Sequence, residues 1–255
     1  MVQPVNTFQK DKLKVKVYQK ESDLGKAAAD FTASGLRSVI SKKGYANLIL
    51  ATGASQFSFL EALKDKDMDW KRITVFHLDE YIGISDQHPA SFRRYLKERI
   101  LDIVSPGKVY LINADAGNLE EEMMAYQNLL KKHPVDFACI GIGENGHIAF
   151  NDPPVADFND PLWVKEVELD EACRKQQMGE GWFPTMEDVP ARAVTLTVTA
   201  IMNCKTISCV VPGERKAQAV YNTLYAEINE NCPATILRNH PETTLFLDVL
   251  SAPRD

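Results

Sequence analysis

Between residues 22 and 43 the apolar positions Leu24, Ala28, Phe31, Gly35 and Val39 recur at steps of three and four, and Gly44 follows as a stop. That spacing predicts an amphipathic helix. Short apolar runs at 47–51, 73–78, 109–112 and 137–141 then read as buried strands, and helical patterns separate them. The patterns are Phe57 to Leu63, then Phe92, Tyr95, Leu96 and Ile100 behind a Ser91 cap, then a segment with Asn118 as cap. That last segment carries Glu120 to Glu122 in its first turn and Lys131 and Lys132 in its last, charges that complement a helix dipole at both ends. On the Ser91 helix, Arg93, Arg94 and Lys97 read as a solvated face.

Strands at 194–198 and 206–211, a helix running to Leu224, and short strands at 235–237 and 244–247 complete the pattern; Val15 and Val17 suggest one more short edge strand. The alternation of strand and helix requires crossover connections. It therefore predicts an α/β fold, a doubly wound, mostly parallel sheet with helices on both faces. The rhythm lapses only between Pro153 and Pro190, where one helix near 171–178 is expected. A connection that long is expected to form a lid over a binding site, at about residues 154–190.

Composition narrows the class. The 255 residues are 45% apolar and 25% charged, with no linker-like stretch, so one domain over 1–255 is expected. A net charge of -6 with both signs dispersed argues against nucleic acid and anionic membrane surfaces as partners. Residues 1–14 carry no regular pattern and no apolar core, so they predict neither a signal peptide nor an anchor, and they are too short for a helix-turn-helix. The five cysteines have neither Cys-x-x-Cys nor zinc spacing and read as reduced thiols of a cytoplasmic protein.

The chemistry concentrates where strands end. After the run at 137–141, three glycines turn the chain, and Asn145, His147 and Asp152 fall close together before Pro153 and Pro154. An imidazole flanked by an amide and a carboxylate can move a proton near neutral pH. The same letters, Gly141-Ile-Gly-Glu-Asn-Gly146, match a dinucleotide fingerprint, but the two prolines leave no room for the long helix that motif opens. Thr52, Gly53, Ala54 and Ser55 link a strand to a helix start, a geometry whose free backbone N–H groups suit a phosphate. Asp79 and Glu80 leave the run at 73–78, as caps or as a carboxylate base. Arg215 and Lys216 sit in the first turn of a helix, against its dipole, a conflict that a bound anion would relieve.

Four segments together resemble the glucosamine-6-phosphate deaminase family: 50–55, 76–83, 141–153 and 212–217, in that family's order and spacing. The resemblance implies a doubly wound α/β fold, no metal and no cofactor, and a homo-oligomer. The implied reaction is aldose–ketose isomerisation with deamination, glucosamine 6-phosphate and water giving fructose 6-phosphate and ammonia. It also implies Asp79 as the base that moves a proton from C2 to C1, and His147 as the ring-opening acid/base, assisted by Asn145 and Asp152. Thr52, Gly53, Ala54, Ser55 and Lys216 are implied as phosphate contacts.

Two positions depart from the family pattern. Asp152 stands where Glu is usual, one methylene shorter, and Gly181 stands near the place of a phosphate arginine, for which Arg174 is the expected substitute. The rival readings are a 6-phosphogluconolactonase-type hydrolase, which resembles a different sequence after the glycines, and a non-catalytic sugar-phosphate sensor.

Overall fold

The computed structural model describes residues 2–253. Its strands are β1 (Asn6–Lys10), β2 (Leu13–Tyr18), β3 (Ala46–Leu50), β4 (Ile73–His77), β5 (Asp79–Tyr81), β6 (Lys108–Val109), β7 (Phe137–Ile140), β8 (Val164–Glu168), β9 (Arg192–Leu196), β10 (Thr206–Val211) and β11 (Thr243–Asp248). Its α-helices are α1 (Glu21–Lys43), α2 (Phe57–Lys64), α3 (Phe92–Leu96), α4 (Asp102–Val104), α5 (Leu119–Lys132), α6 (Glu171–Gly179), α7 (Val198–Met202) and α8 (Ala217–Tyr225). Among the described residues no helix is long and apolar enough to cross a membrane.

Eight strands form the central sheet in the order β1-β2-β11-β10-β7-β3-β4-β6, parallel throughout except for the β1–β2 hairpin. The continuous apolar runs follow from burial on both faces. Leu48 and Leu50 pack with α1 and α2 on one side, while Ile49 between them joins a second core on the other. Strand alternation therefore splits each run between two layers. Phe31 of α1 packs against Phe137 and Phe246 of the sheet, and Gly35 lets the helix close on the sheet, since a methyl there would lie 1.9 Å from the Phe137 ring.

Sequence order runs outward from the centre of this sheet in two directions, β3-β4-β6 one way and β7-β10-β11 the other. The reversal lies between β3 and β7, and in open α/β sheets ligands bind at the carboxyl ends beside such a switch.

Several elements differ from the sequence expectations. Residues 6–18 form a hairpin, so β1 is the edge and β2 lies inside the sheet; β1 is mostly exposed and carries little apolar pattern. Residues 235–237 lie in a 3-10 helix (Pro233–Asn239), started by Pro233 and held by Thr235, whose hydroxyl donates to Cys232 O. The strand expected at 194–198 belongs to a separate three-stranded antiparallel sheet, β5-β9-β8, and Thr197 ends it by capping α7. The segment 154–190 holds β8 as well as the expected helix, α6, so much of it is regular structure.

Candidate active site

The central strands deliver four motifs to one crevice. β3 leads into Thr52–Ser55, β10 into the turn carrying Lys216, β7 into the glycine loop, and β4 through Leu78 into Asp79; residues of all four line the same space. That space measures about 550 Å³ with its open mouth included. Two of the turns are built alike. Gly53 (φ 94°) and Gly213 (φ 89°) each precede a short 3-10 turn that runs into α2 or α8. Positive φ is cheap only for glycine. Tyr95 Oη donates to Gly53 O at 2.9 Å, fixing the first turn, and Asp248 accepts from Gly213 N at 3.1 Å, fixing the second. Gly141 lets the two sides approach, since a methyl there would stand 3.2 Å from Ser55 Oγ.

The acid pair is divided by strand alternation. On β5, Asp79 faces the crevice and Glu80 faces away. Glu80 accepts from Ser91 Oγ at 2.8 Å and from the backbone N–H groups of Tyr81, Phe92 and Arg93, which makes it the anchor of α3. Its charge partner is Arg93 (Nε–Oε2 3.2 Å), which also reaches Asp115 and Asn113 at 2.8 Å each. Arg93 is buried, so it does not belong to the solvated face expected on this helix. Asp79 has no such partner. Burial, and then the charge of Glu80, push its carboxyl well above the ordinary aspartate range. A carboxyl raised in this way is closer to the working range of a proton carrier.

The glycine loop holds the second group with the chemistry to carry a proton. His147 Nδ1 lies 2.8 Å from Asp152 Oδ1, which also accepts from Asn145 Nδ2 at 2.8 Å, while Asn145 Oδ1 accepts from His147 N at 3.0 Å. The three residues expected to act together are thus in direct contact. Burial alone would raise the Asp152 carboxyl, but His147, Asn145 and Cys173 outweigh it and hold it below the usual range. With Nδ1 turned to Asp152, Nε2 is left for substrate. Gly143 is where the backbone passes the imidazole, and a Cβ there would stand 2.2 Å from the ring. Asn151 ties the loop down, donating to Ile148 O and Leu196 O at 2.8 Å each, and Ala149 takes a left-handed conformation (φ 50°). No helix follows Gly146, in keeping with the rejected dinucleotide reading. The other histidine near these motifs, His77, is fully buried, pushed down to about 3 by desolvation and the Arg93 charge, and accepts from Ile112 N at 2.7 Å.

From the 154–190 segment, Gln176, Gln177 and Glu180 line the crevice. Glu180 accepts from Gln176 Nε2 at 2.9 Å and from Trp182 Nε1 at 3.1 Å, and Gln176 Oε1 accepts from Glu144 N at 3.0 Å, joining α6 to the glycine loop. Trp182 closes edge-on against Phe57 and Tyr95. Lys216 is buried; desolvation pulls its ammonium below the ordinary lysine range against the opposing pull of Glu180 and Glu144. Arg174, the expected substitute for a phosphate arginine, is held elsewhere. Its guanidinium donates to Met186 O at 2.6 Å and Val189 O at 3.0 Å, where it braces the segment, and it is not among the residues lining the crevice. Arg215, beside Lys216, pairs with Glu144 at 2.8 Å on the rim.

Asn151, Cys173 and Glu180 carry no local pattern that singles them out, because their partners are long-range. The one legible signal was the glutamine pair beside the glycines in an otherwise irregular stretch. Among the described residues one group has metal-ligand chemistry, His147, Asp152 and Cys173, with ligand atoms within 4.8 Å of one another.

The chain is similar to known proteins over most of its length. It is 36% identical over 213 residues to the glucosamine-6-phosphate deaminase of Bacillus cereus (strain B4264), covering 84% of this chain and 79% of that one. Its fold matches a monomeric glucosamine-6-phosphate deaminase with a TM-score of 0.85 at 30% identity, over 93% of this chain and 98% of the other. A 6-phosphogluconolactonase from Shewanella baltica OS155 shares the fold, with a TM-score of 0.76 at 18% identity over 95% and 99% of the two chains. Residues 19–246 match the family described as glucosamine-6-phosphate isomerases/6-phosphogluconolactonase, and the chain belongs to that family.

Proposed function

We propose that this protein is an amino-sugar-phosphate deaminase, converting glucosamine 6-phosphate and water to fructose 6-phosphate and ammonia. The observation that carries the reading is the presence in one crevice of two separate proton carriers, Asp79 and His147, opposite Lys216 and the Thr52–Ser55 turn. The reaction needs two. The pyranose must open before its C2 proton becomes acidic, and a second group must then move that proton to C1.

In this reading His147 Nε2 exchanges the proton between O1 and the ring oxygen, while Asp152 and Asn145 hold the imidazole. Asp79 removes the proton from C2 of the open aldehyde while O1 takes up a proton to give the enolamine, then returns the proton to C1, leaving an iminium at C2 whose N–H proton is lost when water adds. Water adds to that carbon and ammonia leaves. The backbone N–H groups of the turn and the Lys216 ammonium hold the phosphate, with Gln177 beside them. Asp152 is short but in contact with His147, which supports its role despite the missing methylene.

Ammonia release from glucosamine 6-phosphate and galactosamine 6-phosphate, compared with the Asp79→Asn variant, tests the reading and names the epimer. Turnover abolished in the variant supports it. Hydrolysis of 6-phosphogluconolactone without ammonia release would transfer the assignment to the lactonases, and tight sugar-phosphate binding without turnover would transfer it to a sensor. The homo-oligomer implied by the resemblance is tested by light scattering; a 28.6 kDa species would place the chain with the monomeric relative.

A further inference from the structure

Below the crevice floor the catalytic pair meets a thiol. Cys173, on α6, sits against Asp152, and one ligand atom from each of His147, Asp152 and Cys173 lies within 4.8 Å of the others. All three residues are buried: Cys173 and Asp152 are 1% exposed and His147 is 7% exposed. Their polar atoms are under-used. Asp152 Oδ2 and His147 Nδ1 make no well-aligned hydrogen bond, although Nδ1 lies 2.8 Å from Asp152 Oδ1 and the Cys173 thiol lies against the same carboxylate. The Tyr81 hydroxyl, close enough to Cys173 and Asp79 to feel their charges, is also without a partner. Buried polar atoms usually find a partner, whether protein, water or ion.

One imidazole nitrogen, one carboxylate oxygen and one sulfur are the donor set of a borderline-soft divalent cation, and three protein ligands beside a crevice leave a fourth position open. We propose that Cys173, Asp152 and His147 form an inhibitory site for a zinc-type divalent cation, which halts turnover by taking His147 and Asp152 out of proton transfer. The inhibitory half rests on the reading of His147 as the ring-opening group; the binding half does not.

The chemistry balances without redox. Metal–sulfur, metal–nitrogen and metal–oxygen bonds form, the S–H bond of Cys173 breaks, and its proton leaves to solvent. Nδ1 must offer its lone pair to the metal, so the remaining imidazole proton sits on Nε2. That nitrogen then faces the crevice as a donor only and cannot accept a proton from the sugar. Burial and the adjacent Asp152 keep the Cys173 thiol protonated, so metal competes with a proton and binds more tightly as pH rises. Bonds of about 2.0–2.3 Å around a tetrahedral ion set its donors about 3.5 Å apart, so donors spread over as much as 4.8 Å must close by up to about 1 Å, and Cys173 can do so only by moving α6, the helix that also carries Gln176 and Gln177.

The test is a titration of the full chain with Co²⁺, then Zn²⁺. Expected are one Co²⁺ per chain with a thiolate-to-cobalt absorption band, one proton released, and displacement by Zn²⁺. The band should vanish in Cys173→Ser and in Cys173→Ala but persist in Cys232→Ser, which alters the other buried thiol next to the glycine loop. Zinc inhibition of ammonia release should weaken at least tenfold in Cys173→Ser relative to wild type. Absence of a thiolate band in the wild type, as when a water bridges these atoms, would overturn the site. A band that survives both Cys173 variants would do the same. Stoichiometric binding without inhibition would overturn the inhibitory half alone, and a chain that releases no ammonia would still report on the site through its spectrum.

Discussion

Two adjacent carboxylates, Asp79 and Glu80, are assigned opposite tasks by one strand, and exchanging their chemistry separates stability from catalysis. Glu80→Ala removes the acceptor for three backbone N–H groups and the Ser91 hydroxyl and leaves the buried Arg93 guanidinium without its innermost partner. Breaking a buried ion pair from one side costs about 3–5 kcal/mol. Arg93 keeps Asp115 and Asn113, which argues for the lower end, about 3 kcal/mol, and losing the helix cap adds about 1 kcal/mol. A loss of about 4 kcal/mol lowers the Tm by roughly 8–16 °C for a chain of this size.

Asp79→Asn should do the reverse. The folded-state pKa of Asp79 is raised, so the folded chain binds a proton that the unfolded chain has already released. The resulting destabilisation is absent below the ordinary aspartate pKa and grows as pH rises through the folded value. Asparagine carries no such charge, so the variant should melt at or above the wild-type temperature near pH 7, with the difference shrinking in acid, while turnover disappears. Glu80→Gln adds a kinetic readout. Because the Glu80 charge raises the Asp79 carboxyl, its removal should move the acidic limb of kcat/KM to lower pH. Calorimetry of both single variants with ammonia release as the activity assay decides the matter. A destabilised Asp79→Asn protein, or a Glu80→Ala protein with full stability and no activity, would refute this division of labour.

Three further outcomes follow from the same contacts. Lys216→Met removes a buried cation from the phosphate end and should raise KM for the sugar phosphate by roughly 10–100-fold, the equivalent of about 1.5–3 kcal/mol for a charged hydrogen bond, with a smaller change in kcat. Arg174→Ala should leave phosphate inhibition near wild type and speed hydrogen exchange around residues 184–190, since the guanidinium holds Met186 O and Val189 O; a KM loss matching that of Lys216→Met would return Arg174 to the phosphate site. Gly143→Ala places a methyl 2.2 Å from the imidazole and should cut kcat at least about 100-fold, as misplacement of a catalytic group does, with the far-ultraviolet circular dichroism unchanged.

What could be read in advance divides along physical lines. Strands buried on both faces announce themselves as apolar runs, so β3, β4, β7, β10 and β11 were legible, and with them the parallel sheet and the positions of the turns at their ends. β1 and β8 were missed because β1 has no buried position and β8 only two, so each borrows its stability from a partner strand. Local chemistry told nothing of Arg93, whose burial depends on Glu80 thirteen residues earlier and Asp115 twenty-two later. Arg174 lies away from the crevice for a related reason. A side chain's composition predicts that it seeks an anion, yet backbone carbonyls twelve and fifteen residues away supply enough acceptors to hold it elsewhere.

The shortened carboxylate at position 152 shows how a loop can restore reach that a side chain lacks. From His147 to Asp152 the backbone doubles back through the Ile148–Asn151 bridge, with Ala149 in a conformation that non-glycine residues adopt at a cost of about 1–2 kcal/mol. The Asn151 amide offsets that cost with two hydrogen bonds to carbonyls, one local and one from β9. The fold back brings Asp152 Oδ1 to 2.8 Å from the imidazole, and Cys173 of α6 lies against the same carboxylate. Position 152 and position 173 therefore form one unit. Asp152→Glu alone would drive its carboxylate into the thiol, and should lose more activity than the same change made together with Cys173→Ala. Additive losses in that double-mutant cycle would mean that the thiol and the carboxylate act independently.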